Sequence, residues 1–153
     1  MAAQGVTVNS TEAALVANTA KTMLQIKAAT NVRVVLKDLI LTDKSAAGGT
    51  GATSKVRLTR STANFGTAGS SPAGTKTNPS NGETINTAFG ANFSVEPTSP
   101  TDTGLWFELP SGGSINLIDL PENYCQIPGG QSLNIELTNT GTPTVMVSAR
   151  IEE

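Results

Sequence analysis

The chain has 153 residues, enough for one domain with its own apolar core, and a net charge of −2. Only 14% of the residues are charged, against about 25% in an average soluble domain, with Ser, Thr, Asn and Gly in their place. No Lys/Arg run offers a duplex its phosphate contacts, and no apolar run approaches the roughly 18 residues of a membrane span, so nucleic acid and membrane are excluded as partners.

Met1 to Ser10 is small and polar with Val6 and Val8 alternating, which predicts an extended N-terminal arm over residues 1–11 ahead of a single β-domain over 12–153. Residues 1–20 lack a basic start followed by an apolar core, so no secretory signal is expected. A strand is predicted over Ala13–Ala17, although Asn9-Ser10-Thr11-Glu12 also has the spacing of a helix capping box. Met23–Ala28 reads as a strand, and Val32–Thr42 as a long second one. In the latter Val32, Val34, Leu36 and Ile40 lie on one face and Val35, Leu39 and Leu41 on the other, with Lys37 and Asp38 interrupting both series. Apolar residues on both faces imply either that part of the strand is covered on both sides or that a bulge flips its register.

Asp43 to Ser54 is a loop by composition. Lys55–Ser61 returns as a strand with Val56 and Leu58 inward, and carries a close arginine pair, Arg57 and Arg60. These arginines read as a solvated sheet face or as polar contacts to another chain. Thr62–Glu83 is rich in Gly, Ser, Thr, Asn and Pro and reads as one long loop, beyond the usual unstructured length and so either disordered or laid over a partner, with Phe65, Pro72 and Pro79 favouring an ordered, extended path with an anchor. Alternation resumes over Ile85–Val95, then Leu105–Leu109, where Leu105, Phe107 and Leu109 share one face and Trp106 and Glu108 the other.

Strands are also predicted over Ile115–Leu120 and Tyr124–Ile127, and the chain closes with two alternating runs, Leu133–Thr138 and Val145–Ile151. The Asn139–Pro143 turn between these predicts a β-hairpin, one face buried and one wet, with Met146 on the wet side. Eight to ten strands with turn signals between them predict an all-β fold, a jelly-roll-like two-sheet sandwich.

The sequence offers little chemistry. It contains no histidine, which removes the usual general base and imidazole metal ligand, and its one cysteine, Cys125, cannot form an intrachain disulfide and reads as a small buried residue. Glu96, Asp102, Glu108, Asp119 and Glu122 raise the question of a glycosidase carboxylate pair, but with aromatics at 4% the groove that binds sugar is missing. No run of acidic residues has calcium-loop spacing, and Gly48-Gly49-Thr50-Gly51 lacks the lysine of a phosphate cradle. No cofactor, metal or small-molecule substrate is expected, and no enzyme. Trp106, on the polar side of its strand, is either buried under the long loop or a second sheet, or anchors a subunit contact.

Lys27-Ala28-Ala29-Thr30-Asn31-Val32-Arg33 ahead of an apolar strand resembles the opening of a group of small phage head proteins. Phe93-Ser94-Val95-Glu96-Pro97-Thr98, Pro128-Gly129-Gly130-Gln131 before a strand, and the closing Val145, Val147, Ala149, Ile151, Glu152 and Glu153 extend the likeness over about residues 20–153. The chain thus resembles the capsid decoration, or cement, proteins of tailed bacteriophages. The resemblance implies a homotrimer on the outer surface of the virion, bound to the major capsid protein and stapling its lattice. Trp106, Arg57, Arg60 and Met146 are then candidates for the subunit interface, and Val6, Val8 and Phe65 for capsid contact. A receptor- or carbohydrate-binding module of a tail fibre is the alternative, with Trp106 and Tyr124 to stack on sugars. An enzyme on the same scaffold, using Glu96 or Asp119, is a third class.

Overall fold

The computed structural model describes residues 4–45, 52–79, 82–98 and 100–153, with the backbone alone at 123 and 124. The tip of the loop predicted over Asp43–Ser54 and the side chain of Tyr124 lie outside the described residues.

Two antiparallel sheets pack face to face. Eight strands form the frame: β1 (Gly5–Asn9), β3 (Lys21–Lys27), β4 (Val34–Asp43), β5 (Ser54–Ser61), β9 (Thr101–Leu109), β10 (Ser114–Leu117), β12 (Ser132–Thr138) and β13 (Thr144–Glu152). Sheet A contains β10-β4-β13-β1 in that order and sheet B contains β3-β12-β5-β9. Every step along this series except β5 to β9 crosses from one sheet to the other, which is the winding of a jelly roll. The short strands β2 (Ala13–Ala14) and β11 (Gln126–Ile127) pair with β13 and β4, and Glu122–Cys125 forms one helical turn, α1. Ala13–Ala17 and Tyr124–Ile127 are therefore only partly strand.

The inner faces follow the predicted parity. Val56, Leu58, Leu133, Ile135 and Leu137 of sheet B meet Leu39, Leu41, Val145, Val147 and Ile151 of sheet A, all fully buried. The parity switch in β4 is a bulge: Asp38 pairs with Arg150 and Leu36 with Ile151, leaving Lys37 as the extra residue. That extra residue brings Leu36 and Leu39 onto the same buried side. Lys37 and Asp38, turned outward, ion-pair with Glu122 at 2.9 Å and with Arg150 at 2.5 Å.

Three expectations are overturned. The closing runs do not form a hairpin, because β12 pairs with β3 and β5 while β13 pairs with β4 and β1. The turn between them bridges the sheets, fixed by Asn139, whose Nδ2 donates to Ala52 O (2.7 Å) and Ser54 Oγ (2.8 Å) while its Oδ1 accepts from Gly141 N (2.6 Å). Nor is the N-terminus a free arm. Gly5–Asn9 lies between β13 and the short pairing segment Thr75–Lys76, and Val6 and Val8 are completely buried, which removes both from any capsid contact.

The third concerns Thr62–Glu83, which contains β6 (Thr67–Ser70) and β7 (Thr75–Lys76). β6 pairs with β8 (Ala88–Val95), itself paired to β3, and β7 extends sheet A beyond β1. The segment thus passes from the edge of one sheet to the edge of the other and closes that flank. At Gly74 a Cβ would stand 2.7 Å from both Val6 Cγ1 and the Phe89 ring, so only glycine permits the approach. The carboxylate of Glu153 fastens the return path by accepting from the amides of Asn86 and Thr87 at 3.0 Å each.

Because β1 is an inner strand, removing residues 1–9 should lower the melting temperature by about 10 °C or prevent folding, from the loss of two buried valines alone. A thermal melt followed by circular dichroism checks this; an unchanged melt would restore the free arm.

Candidate functional site

The outer faces of the two sheets differ. That of sheet A is a field of short polar side chains with the Asp38–Arg150 pair at its centre, and a depression of about 190 Å³ lies between Thr7, Asp38, Ile40, Ser148 and Arg150. Met146 is on this face, half-buried beside Thr42. The outer face of sheet B carries the more specific arrangement.

There, register aligns Trp106 of β9, Arg57 of β5, Glu136 of β12 and Thr22 of β3 in one row. Glu136 is 5% exposed. Its Oε2 accepts from Arg57 Nη2 at 2.6 Å and Nε at 3.2 Å, and its Oε1 from Thr59 Oγ1 at 2.6 Å. Asn134, completely buried, donates to Thr59 Oγ1 (3.2 Å) and Ser61 Oγ (2.9 Å) and accepts from Gln25 Nε2 (2.9 Å). A hydrogen-bonded ladder therefore replaces the wet face expected of β12, and each buried group has a partner.

Two features cover this ladder. Phe65 lies over its far end, with its carbonyl accepting from Gln25 Nε2 at 3.0 Å and its ring 3.9 Å from Lys27 Nζ. Phe65 thus anchors its segment to sheet B while itself staying partly exposed. At the near end the Arg57 guanidinium, held by Glu136, sits 5.7 Å from the centroid of the Trp106 ring, a cation–π distance. Trp106 itself is 54% exposed, so burial under a loop or a second sheet is ruled out. Of the interface candidates the structure brings Arg57 and Trp106 together. It sends Arg60 to Gln126 O at 2.7 Å and leaves Met146 on the opposite sheet.

Of the five carboxylates considered for catalysis, three hold backbone or ion pairs. Glu96 accepts from Thr22 N (2.9 Å), Asp102 from Gly104 N (2.7 Å), and Glu122 pairs with Lys37. Asp119 donates its amide to Asp38 at 3.1 Å. Among the described residues no group of three or more Cys, Asp or Glu is arranged to hold a metal ion. Cys125 is completely buried, and burial pushes its thiol up to about 11 despite the nearby positive charge of Arg60. That is the reverse of an activated nucleophile.

Two aspartates, Asp38 half-buried and Asp43 buried, contribute to the acid response. Burial pushes Asp38 up, but the Arg150 guanidinium and the Asp119 amide outweigh it and hold the carboxyl below its ordinary value. Burial acts likewise on Asp43, and the Ser45 side chain and the amides of Ser45 and Gly112 reverse it.

Comparison with known proteins finds no matching family model, no matching curated protein and no matching solved structure.

Replacing Glu136 with Ala leaves Thr59 without its acceptor and Arg57 without its anchor. It should cost about 2–3 kcal/mol, read as a lower urea midpoint, with a changed Trp106 emission. Folded carboxyls held low contribute stability that is present above the ordinary aspartate range and lost as pH falls through the folded values. The melting temperature should therefore stay level from pH 7 to about 5 and drop below about 4. Asp43→Asn should lower it at pH 7 and flatten that acid limb; a parallel curve would remove Asp43 as a cause.

Proposed function

We propose that this chain is a structural β-module of a virion, a decoration protein that binds the outside of an assembled phage head as a homo-oligomer and stabilises its lattice. The observation that carries the contact-forming part of this reading is Trp106. A large aromatic stands exposed on a polar sheet face, its orientation set by Arg57, which a buried carboxylate holds in turn. Trp and Arg in one preorganised patch are the residue types that dominate protein–protein contacts, and preorganisation lowers the entropy lost on docking. The phage setting rests on the sequence resemblance.

The mechanism is linkage. A protein that binds only the assembled lattice stabilises it, by about 2.7 kcal/mol per site at a hundredfold excess over the dissociation constant. An oligomer that engages several sites at once multiplies weak contacts through effective concentration. Nothing in this scheme requires turnover; it requires a rigid body with patches on its faces.

The exposed Trp106 ring also suits a sugar-binding module, since one of its faces is available for stacking. The two readings part under one substitution. Trp106→Ala should lower the mass of the particle in solution and weaken its binding to empty heads by about thirtyfold, the effect of losing an interface anchor worth about 2 kcal/mol. Unchanged mass and unchanged occupancy would remove the contact role. A glycan screen positive for the native chain and negative for the variant would put the sugar reading in its place.

A further inference from the structure

The sandwich has two flanks, and the chain treats them differently. On one, β6, β7 and β8 extend both sheets and the 62–87 segment closes over the core at Gly74. On the other, β9 ends sheet B and β10 ends sheet A, joined by the short Pro110–Gly113 connection. The inward side chains there, Leu105 and Phe107 of β9 and Ile115 and Leu117 of β10, are only half covered, and the following Ile118 is 64% exposed.

Edges are ordinarily blunted against pairing with another chain, and shortness is one means. β6 and β10 have four residues and β7 has two, whereas β9 has nine. Its first half is bulged: Arg57 faces Trp106 and Thr59 faces Asp102, with Gly104 at φ +82° in between. From Trp106 to Leu109 it runs regularly beside β5 and, among the described residues, pairs with nothing on its other side. No lysine or proline guards that stretch.

We infer that β9 pairs edge to edge with β9 of a second copy of this chain, antiparallel about Phe107, so that sheet B continues across a two-fold axis. The inference rests on the reading of the Trp106 side as a contact surface and names its partner and register. Self-complementarity selects the partner. With Phe107 on the axis, Leu105 meets Leu109 of the partner subunit on the inner face, and Trp106 meets Glu108 of the partner subunit on the outer face. Lys55 neighbours Glu108 and Arg57 neighbours Trp106 within one chain. The outer row across the axis therefore reads cation, aromatic, anion, cation, with no like charges opposed. The same two-fold brings the half-covered β10 rows toward each other and removes their apolar surface from water. The unit so formed is a dimer, in place of the trimer that the resemblance implies.

Sedimentation equilibrium of the full chain tests this. The native chain should be a dimer. Phe107→Lys, which sets two like charges on the axis, should raise the dissociation constant about thirtyfold or more while leaving the far-ultraviolet dichroism unchanged. If that variant does not fold, a Trp106→Cys/Glu108→Cys double variant should oxidise to a disulfide-linked dimer, with Cys125 buried and out of reach. A native monomer or trimer, a dimer indifferent to Phe107→Lys, or a double variant that stays monomeric on oxidation would overturn the pairing. Binding to empty heads is scored separately: a monomer that still decorates heads sinks the two-fold contact alone, and a dimer that does not bind them sinks the capsid role alone.

Discussion

Two sheets closed face to face bury one side of each strand and leave four edges, and the treatment of those edges shapes this molecule more than any single side chain does. The core follows from parity: alternate apolar residues on eight strands meet in one layer, and the jelly-roll winding puts consecutive strands on opposite sides of it. Edges have no such automatic solution, because unpaired amides and carbonyls remain wherever a sheet stops. Here the chain spends an insertion of polar and small residues between β5 and β9 to finish one flank, tying it with Glu153 and fitting it at Gly74. On the other flank α1 lies against β4 and β9 and β11 against β4, but the Trp106–Leu109 edge of β9 has no paired strand outside it among the described residues. On the proposed reading, that open edge is the surface a contact would use.

The ladder on sheet B serves the same end in a different way. Glu136, Asn134, Thr59 and Gln25 are as buried as the core, yet they lie on the outward side of their strands. Burying a carboxylate is costly, and the Arg57 pair with the Thr59 hydrogen bond offsets that cost without making the site a strong source of stability. What the arrangement does supply is position. Arg57 is fixed from below by two hydrogen bonds and in turn borders the Trp106 ring, so a long cationic side chain and a large aromatic are ordered before any partner arrives. The ladder also pins the register of β12 between β3 and β5, since a one-residue slip would drive Glu136 into the apolar layer.

Much of the fold was legible in the sequence because parity survives into structure. β5, β9 and β13 run as their alternation predicts, and of the two readings that the Lys37-Asp38 interruption left open the structure has the bulge. What parity cannot give is the partner of a strand. Leu133–Thr138 and Val145–Ile151 satisfy the hairpin pattern, yet hydrogen bonds from Asn139 turn the chain across the sandwich. A glutamate alternating with leucines reads as wet, and the arginine that buries it is 79 residues away. Gly5–Asn9 carries two valines whether it is an arm or an inner strand, so its five residues held no signal to separate the two. Of the candidate site, Trp106 and Arg57 stand out in the sequence as separate residues, with no hint of the adjacency that the β5–β9 register creates. Arg60 and Met146, drawn from the same kind of reasoning, lie elsewhere.

Together these features bear on how such a body can grip a surface. A side chain held by a buried pair loses little rotamer freedom on docking, and a rigid edge strand offers backbone bonds whose geometry is set before contact. Both lower the cost of association rather than increase the contact area, which suits a component that must recognise an assembled surface and leave free subunits alone. Selectivity for an assembled state then comes from geometry: a stiff dimer or higher oligomer engages two sites only when the sites are already held at the right spacing, so a disordered target gains nothing from the second contact. A flexible module would lose that discrimination. On the proposed capsid-binding role, the ordered ladder beneath Arg57 and the fastened insertion on the far flank would serve that grip by keeping the body stiff, although neither lies on the exposed Trp106 edge.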